Sequence, residues 1–193
     1  REQEIQRIFP IMLEVAKGIR NTWPDARFAV PCVDADREQQ VQVLAADFPI
    51  ETHVGGMSEV LNPARFCMVA SGTATLETCL FGVPMVIAYR VSELTYRIAR
   101  ILVDVPHIGM VNLLAQRRIV PEFIQHEATP GQILPVALKL IGDTPERARM
   151  LQDLASVRDA IGGPGASERA ATQVLRVADL SHNRAQPEST SHA

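Results

Sequence analysis

FCMVASGTATLE, residues 66–77, joins an apolar run to a helical pattern through a turn of small residues. The run at 66–70 has the length and composition of a short buried strand. A helical pattern follows at 74–81 and is closed by Gly82. Strand, turn and helix in this order are typical of phosphate-binding α/β folds, because the first N–H groups of a helix lack partners and its dipole favours an anion.

The turn and the helix that follows it contain four candidate ligand-binding residues. Gly72 lets a ligand approach the backbone without meeting a side chain, and the hydroxyls of Ser71 and Thr73 can donate hydrogen bonds. Glu77 follows Thr73 by one helical turn on the same face, where its carboxylate can accept hydrogen bonds from a diol such as ribose. The helix dipole also stabilises a carboxylate here, so Glu77 can be explained without a ligand. The pattern leaves both interpretations open.

Outward from this stretch, strand and helix patterns alternate. The first helical pattern has a broad apolar face from Ile5 to Ile19. Strands are predicted at 26–33, 50–54, 66–70 and 85–89, and helices at 35–46, 57–61, 74–81 and 94–102. Alternating strands and helices with continuous apolar runs predict an α/β fold with a Rossmann-like parallel sheet and helices on both faces. Ligands of such sheets bind beyond the carboxyl ends of the strands, where the 71–73 turn would lie.

The pattern changes in the second half of the chain. Polar side chains interrupt an apolar stretch at 103–125, which a surface loop with a short helix would explain. Helices resume at 133–141 and 145–161 and end at a glycine- and proline-rich break. We therefore predict one α/β domain over residues 1–165, a terminal helix at 166–180 and a disordered polar tail at 181–193.

Composition and missing motifs exclude several classes of function. The chain has 193 residues, 47% of them hydrophobic, and a formal net charge of −3, which does not favour nucleic acid as a partner. Cys32, Cys67 and Cys79 form no CxxC pair, so neither a disulfide nor a zinc site is predicted. There is no GxGxxG fingerprint, P-loop or GxSxG elbow. We therefore expect no bound cofactor and no metal ion.

Four stretches of the chain form a recognisable set. They are Arg1-x-x-Glu4-Ile5, the residues from Ala70 to Glu77, Pro84-Met85-Val86-x-x-Tyr89-Arg90, and Asn112-Leu113-Leu114-Ala115 through Pro121-Glu122 to Gln125. Together they resemble the C-terminal half of the lipid-A-disaccharide synthases, which are inverting glycosyltransferases of the GT-B fold, and their order and spacing match over about residues 1–180. In that family the first motif reads Gly-Ser-Arg-x-x-Glu, and here it begins at its arginine.

The resemblance implies an activity and a set of donor-binding residues. The family transfers 2,3-diacylglucosamine from its UDP derivative to 2,3-diacylglucosamine 1-phosphate, forming lipid A disaccharide and UDP. By this resemblance Ser71, Gly72 and Thr73 hold the diphosphate, Glu77 holds the ribose, and Arg1 neutralises phosphate charge. The other donor-site residues it implies are Tyr89, Arg90, Asn112, Glu122 and Gln125. The catalytic base is expected in an N-terminal half, so we expect this chain alone to bind UDP weakly and to lack transferase activity.

The resemblance also implies partners and a location. We expect a UDP-2,3-diacylglucosamine donor, a lipid acceptor, an N-terminal partner domain and a homodimer formed by exchange of C-terminal elements. The lipid substrates imply peripheral contact with the cytoplasmic face of the inner membrane of a Gram-negative bacterium. Two alternatives stay open: another UDP-sugar enzyme such as a UDP-N-acetylglucosamine 2-epimerase, and a non-catalytic nucleotide-binding module. The 112–125 stretch resembles the synthases better than the epimerases.

Overall fold

Strands and helices alternate along the described part of the chain, as the sequence predicts. The computed structural model describes residues 2–93, 95–96, 106–162 and 171–172. Its strands are β1 (Ala29–Cys32), β2 (Glu51–Val54), β3 (Cys67–Ala70), β4 (Met85–Tyr89) and β5 (Glu122–Ile124). Its α-helices are α1 (Glu2–Thr22), α2 (Ala35–Ala45), α3 (Met57–Leu61), α4 (Ala74–Leu80), α5 (Met110–Ala115), α6 (Pro130–Ile141) and α7 (Pro145–Ile161). The arrangement is an α/β fold of parallel sheets flanked by helices, consistent with a Rossmann-like GT-B domain.

The strands form two hydrogen-bonded sets within the described residues, whereas the sequence predicted one sheet. β1 pairs with β2, and the second set has the order β3–β4–β5; every pairing is parallel. Because the carbonyl oxygens of Phe28 and Cys32 accept hydrogen bonds from the β2 segment, alternate residues of β1 face β2 and Pro31 faces the opposite edge. Proline has no N–H, so that edge lacks one donor for a further strand.

The core is built on β4 and on the apolar face of α1. Met85, Val86 and Ile87 of β4 are fully buried, which confirms the prediction of a strand covered on both faces. Helix α1 buries its predicted apolar face and runs through Pro10. It packs closely on α6 at Gly18, where an added Cβ would lie 2.5 Å from the Leu134 side chain. A larger residue at this position would force the Leu134 side chain to move.

The C-terminal helices agree with the predictions as far as they are described. Helix α6 begins three residues before the predicted 133–141, and α7 matches 145–161. Residues 1–158 form one compact unit and 159–193 a second. The predictions for 94–102, 166–180 and 181–193 fall on residues that, apart from 95–96 and 171–172, lie outside the described part. Over the residues described, no helix is both long and apolar enough to cross a membrane.

Candidate functional site

The candidate site lies where β3, β4 and β5 end at one edge of the three-stranded sheet. The 71–73 turn follows β3, Arg90 follows β4, and Gln125 follows β5. Paired strands lie about 4.8 Å apart, so these three segments are neighbours. This is the edge at which parallel sheets bind ligands. Arg1, a predicted member of the site, lies outside the described residues.

The turn between β3 and α4 leaves its backbone donors unpaired. Gly72 has a φ of +138°, a conformation that side-chain-bearing residues rarely adopt, and a Cβ built there would meet no atom within 4 Å. In the part of the chain that the structure describes, no protein oxygen accepts a hydrogen bond from the N–H of Gly72, Thr73 or Ala74. Three adjacent donors beside an open glycine can bind an anion such as a phosphate.

The two hydroxyls of the turn are used differently. Ser71 Oγ donates to the carbonyl oxygen of Ile108 at 2.9 Å. Because a hydroxyl has one proton, Ser71 in this conformation can only accept hydrogen bonds from a ligand, and it ties the turn to the segment before α5. Thr73 is exposed at the N-cap of α4, and its side chain makes no capping hydrogen bond. The Thr73 hydroxyl is therefore not used to cap the helix.

Glu77, Tyr89 and Arg90 lie at the same edge. The N–H of Glu77 donates to the carbonyl oxygen of Thr73 at 3.1 Å, so the two residues share a helical face as predicted. The Glu77 side chain is exposed there. Tyr89, the last residue of β4, is partly buried, and Arg90 is exposed. These positions suit contact with a ligand on the turn, and their roles stay predictions.

Asn112 is fully buried, although it was predicted to face the donor. Its Nδ2 donates to the carbonyl oxygen of Val120 and to Glu122 Oε1, both at 2.8 Å. Its Oδ1 accepts from the N–H groups of Ile119 and Val120, both at 2.9 Å. Every hydrogen-bonding group of the amide is therefore used inside the protein. The correction is that Asn112 holds the 119–122 segment against α5 and offers no group to a ligand.

Glu122 is also buried, with 5% exposure. Its carboxylate accepts hydrogen bonds from Ile108 N at 3.0 Å, Gly109 N at 2.9 Å and Asn112 Nδ2 at 2.8 Å. Three donors compensate much of the cost of burying the charge. A Cβ at Gly109 would collide with the Ile87 side chain and lie 3.1 Å from Glu122 Oε1. Residues 108–109 can come this close to the Glu122 carboxylate because residue 109 is a glycine. Glu122 thus anchors residues 108–109, which corrects the expectation that it faces a donor.

Gln125, the third polar residue predicted to face the donor, is 2% exposed. Its Oε1 accepts from Val91 N at 2.7 Å, and its Nε2 donates to Val91 O and Glu93 Oε1, both at 3.2 Å. These bonds fasten the segment that follows Arg90 to the end of β5. Gln125 therefore holds Val91 and Glu93 in position, and its side-chain amide is hydrogen-bonded within the protein.

Sequence reasoning did not identify Ile108 and Gly109 as part of this arrangement. Ile108 takes part through its backbone, which no side-chain pattern reveals. Gly109 precedes α5 as its N-cap, and a glycine before a short apolar helix was the only signal. Asp34 is the N-cap of α2, where its side chain accepts a hydrogen bond from Arg37 N at 2.8 Å.

Other reactive groups lie apart from the turn. Burial raises the pKa of the Cys67 thiol to about 12, and burial is also the main cause that raises the pKa of Cys32 and Cys79. Thiols with raised pKa values are poor nucleophiles at neutral pH. Among the residues described, no three His, Cys, Asp or Glu side chains are grouped to hold a metal ion. Two surface pockets lie beside α2, and neither is lined by residues at the carboxyl ends of β3, β4 and β5.

Comparison with known proteins gives one consistent result. The family model described as lipid-A-disaccharide synthetase matches residues 1–176. A lipid-A-disaccharide synthase of Anaeromyxobacter dehalogenans (strain 2CP-C) is 40% identical over 180 residues, which are 92% of this chain and 47% of that protein. The synthase of Syntrophus aciditrophicus (strain SB) is 36% identical over 178 residues, 91% of this chain and 46% of that protein. The chain thus spans about half the length of the curated relatives it matches.

Proposed function

This chain belongs to the lipid-A-disaccharide synthetase family, and we propose that it is the half of a glycosyltransferase that binds the UDP-sugar donor. The proposed reaction transfers 2,3-diacylglucosamine from its UDP derivative to 2,3-diacylglucosamine 1-phosphate. Its products are lipid A disaccharide and UDP. The observation that carries the proposal is the turn after β3, where three adjacent unpaired N–H groups meet an open glycine at the ligand edge of the sheet.

The proposed donor contacts begin at this turn. The N–H groups of Gly72, Thr73 and Ala74, together with the Thr73 hydroxyl, bind the diphosphate. The exposed carboxylate of Glu77 accepts hydrogen bonds from the ribose hydroxyls one helical turn away. Exposed Arg90 lies at the end of the neighbouring strand and compensates phosphate charge. Arg1 and Tyr89 complete the proposed donor set.

The chemistry explains why such a site helps. The acceptor hydroxyl attacks C1 of the donor sugar, the bond from C1 to the β-phosphate oxygen breaks, and UDP leaves with the bonding electron pair. Negative charge grows on that oxygen during the step, so donors directed at the phosphate stabilise the transition state more than the ground state. The proton of the acceptor hydroxyl must go to a base. We place that base in an N-terminal partner domain that also holds the acceptor.

The wider setting is also a proposal. We propose that the complete protein works at the cytoplasmic face of the inner membrane, in peripheral contact with it, because both substrates would carry acyl chains. A homodimer formed by exchange of C-terminal elements belongs to the same proposal. This chain alone should show no transferase activity, and turnover of donor and acceptor by the purified chain would contradict the assignment of the base.

Calorimetric titration with UDP tests the donor site. We expect UDP to bind more tightly than ADP, and we expect Glu77→Ala to weaken UDP binding by about tenfold, because hydrogen bonds to a charged group are lost. Glu14→Ala is the matched control, since Glu14 is another exposed helix carboxylate and pairs with Lys17 on α1. UDP binding that is unchanged by Glu77→Ala, or equal binding of UDP and ADP, would contradict the proposed ribose contact.

Absence of any nucleotide binding would require a second titration. The chain would then be joined to the N-terminal half of a curated relative, such as the Anaeromyxobacter dehalogenans synthase, and titrated again. Binding that appears only in the joined protein would mean that the partner domain completes the site. If the joined protein also failed to bind UDP, the proposed function would be wrong.

A further inference from the structure

We propose that Glu122 and Asn112 are positioning residues for the anion-binding turn and act on it through Ile108 and Ser71. The proposal rests on the function proposed above and goes beyond it. Buried side chains of β5 and α5 determine the orientation of backbone donors that they do not touch. Ile108 is held from two sides, by Ser71 and by Glu122.

Ile108 connects the turn to the sheet. Its carbonyl oxygen accepts the Ser71 hydroxyl at 2.9 Å, and its N–H donates to Glu122 Oε2 at 3.0 Å. Glu122 is the first residue of β5, which pairs in parallel with the fully buried strand β4. The Ser71 side chain is therefore linked through Ile108 and Glu122 to β4, the most buried strand of the described fold.

The anchor itself is held in one geometry. Glu122 Oε1 accepts from Gly109 N at 2.9 Å and from Asn112 Nδ2 at 2.8 Å, so both carboxylate oxygens are engaged. Arg118 Nη2 donates to the backbone carbonyl oxygen of Glu122 at 2.7 Å and holds the main chain of this residue as well. Asn112 is fixed in turn by its bonds to Ile119 and Val120. A fully satisfied buried network of this kind has one favoured arrangement.

The backbone of α4 holds the carbonyl oxygens of Gly72 and Thr73, so the orientation of the N–H groups of the turn depends on further contacts. Gly72 has the open surroundings described above, and the N–H groups at 72–74 have no protein partner among the described residues. Two side-chain hydroxyls hold the turn: Thr75 Oγ1 donates to Gly72 O at 2.8 Å from the helix side, and Ser71 Oγ bonds Ile108 from the loop side. Loss of the second contact would let the donors reorient, and binding would then have to order them.

In this proposal Ser71 influences anion binding by holding the turn against Ile108. A direct ligand contact and a positioning contact make different predictions for paired mutations. If Ser71 bound the phosphate directly, its loss and the loss of the Glu122 carboxylate would act independently. If both act through Ile108, removal of either breaks the same connection, so the second removal adds little.

A double-mutant cycle on UDP affinity tests the proposal. The wild-type chain, Ser71→Ala, Glu122→Gln and the double variant are titrated at a temperature where circular dichroism shows each to be folded. Each single variant should bind UDP about five- to tenfold more weakly, and the double variant should bind no more than about twofold more weakly than the worse single variant. A double variant whose loss equals the product of the two single losses would overturn the proposal.

A control variant separates positioning from general destabilisation. Val41 is buried in a second core cluster, with Phe9, Cys32 and Ala45. Val41→Ala should lower stability and leave UDP affinity unchanged while the protein is folded. If Val41→Ala weakened UDP binding as much as Glu122→Gln does, the effect of Glu122 would be general destabilisation and the proposal would be wrong.

A measurement without ligand keeps this proposal separate from the proposed function. Ser71→Ala should speed hydrogen exchange at the amides of Ile108 and Gly109, because the segment loses its contact with the turn. The same substitution at Ser156, whose hydroxyl bonds only its own helix at Gln152 O, is the matched control. Unchanged exchange at residues 108 and 109 would overturn the positioning role whether or not UDP binds. Faster exchange in a chain that fails to bind UDP would instead count against the donor site alone.

Discussion

Two polar segments lie near the same sheet edge and use their hydrogen-bonding groups in opposite ways. In the turn, the N–H groups of residues 72–74 have no partner among the described residues, and the space beside Gly72 is open. In the segment at 112–125, Asn112, Glu122 and Gln125 are buried, and their side chains bond to backbone groups and to one another. The side chains of Asn112, Glu122 and Gln125 thus form a buried frame, and the N–H groups of the turn are left for the proposed ligand.

The difference between the two segments separates stability from binding. Removing a group from the frame leaves buried donors or acceptors without partners, so the free energy of unfolding should fall. Removing an exposed group from the turn costs the fold little and should act on affinity. The hydrogen bond from Ser71 to Ile108 O links the turn to residue 108, whose N–H is held in turn by Glu122 of the second segment.

The largest effect is expected for Glu122→Leu. The leucine is close in size to glutamate but leaves Ile108 N, Gly109 N and Asn112 Nδ2 without their acceptor. The free energy of unfolding should fall by about 3–5 kcal/mol, because three buried donors lose their acceptor and each unsatisfied group costs about 1–3 kcal/mol. Urea unfolding measures the loss, with Val41→Ala as a core control. A loss below about 1 kcal/mol would show that the frame is not held by this carboxylate.

An intermediate effect is expected for Gly72→Ala. Space for the methyl group exists, but a φ of +138° strains any residue with a Cβ. Stability should fall by about 1–3 kcal/mol from the strain, and UDP affinity should fall as the turn relaxes to another conformation. Gly131→Ala is the control, because it too has open surroundings, within helix α6. Equal effects of the two substitutions on UDP binding would contradict a special role for the turn.

The smallest effect on stability is expected for Thr73→Ala. Its side chain is exposed and makes no capping bond, so the free energy of unfolding should change by less than about 0.5 kcal/mol. UDP affinity should nevertheless fall by about tenfold, since one hydrogen bond to a charged phosphate is lost. Calorimetry and urea unfolding on one preparation give both values. A stability loss without an affinity loss would place Thr73 in the frame.

The sequence predicts the apolar skeleton of the fold and the position of the turn. The run at 85–89 becomes the buried strand β4 because continuous apolar residues cannot face water on either side. The small residues at 71–73 break the strand pattern and open a helix, as expected of a phosphate-binding turn. The family resemblance was visible in the same residues, and the family model over 1–176 confirms it.

The roles of the buried polar residues could not be predicted from sequence. The partners of Asn112 and Glu122 are mainly backbone atoms, and their hydrogen-bonding capacity looks the same in the sequence whether a ligand or the protein uses it. Ser71 meets a carbonyl oxygen 37 residues away, a contact that only the packed structure creates. The division of the strands into two sets could not be predicted from sequence either. Pro31 weakens one edge of β1 for strand pairing, but which edge it faces is known only from the pairing of β1 with β2.

The most direct test of the account is to follow backbone amide signals by NMR during a UDP titration. The account predicts that the amides of Gly72, Thr73 and Ala74 shift strongly, because they bind the diphosphate. The amides of Ile119 and Val120, which donate to Asn112 Oδ1, should stay nearly unchanged. Shifts centred on 119–120 without shifts at 72–74 would contradict the account, because the ligand would then meet the frame and not the turn.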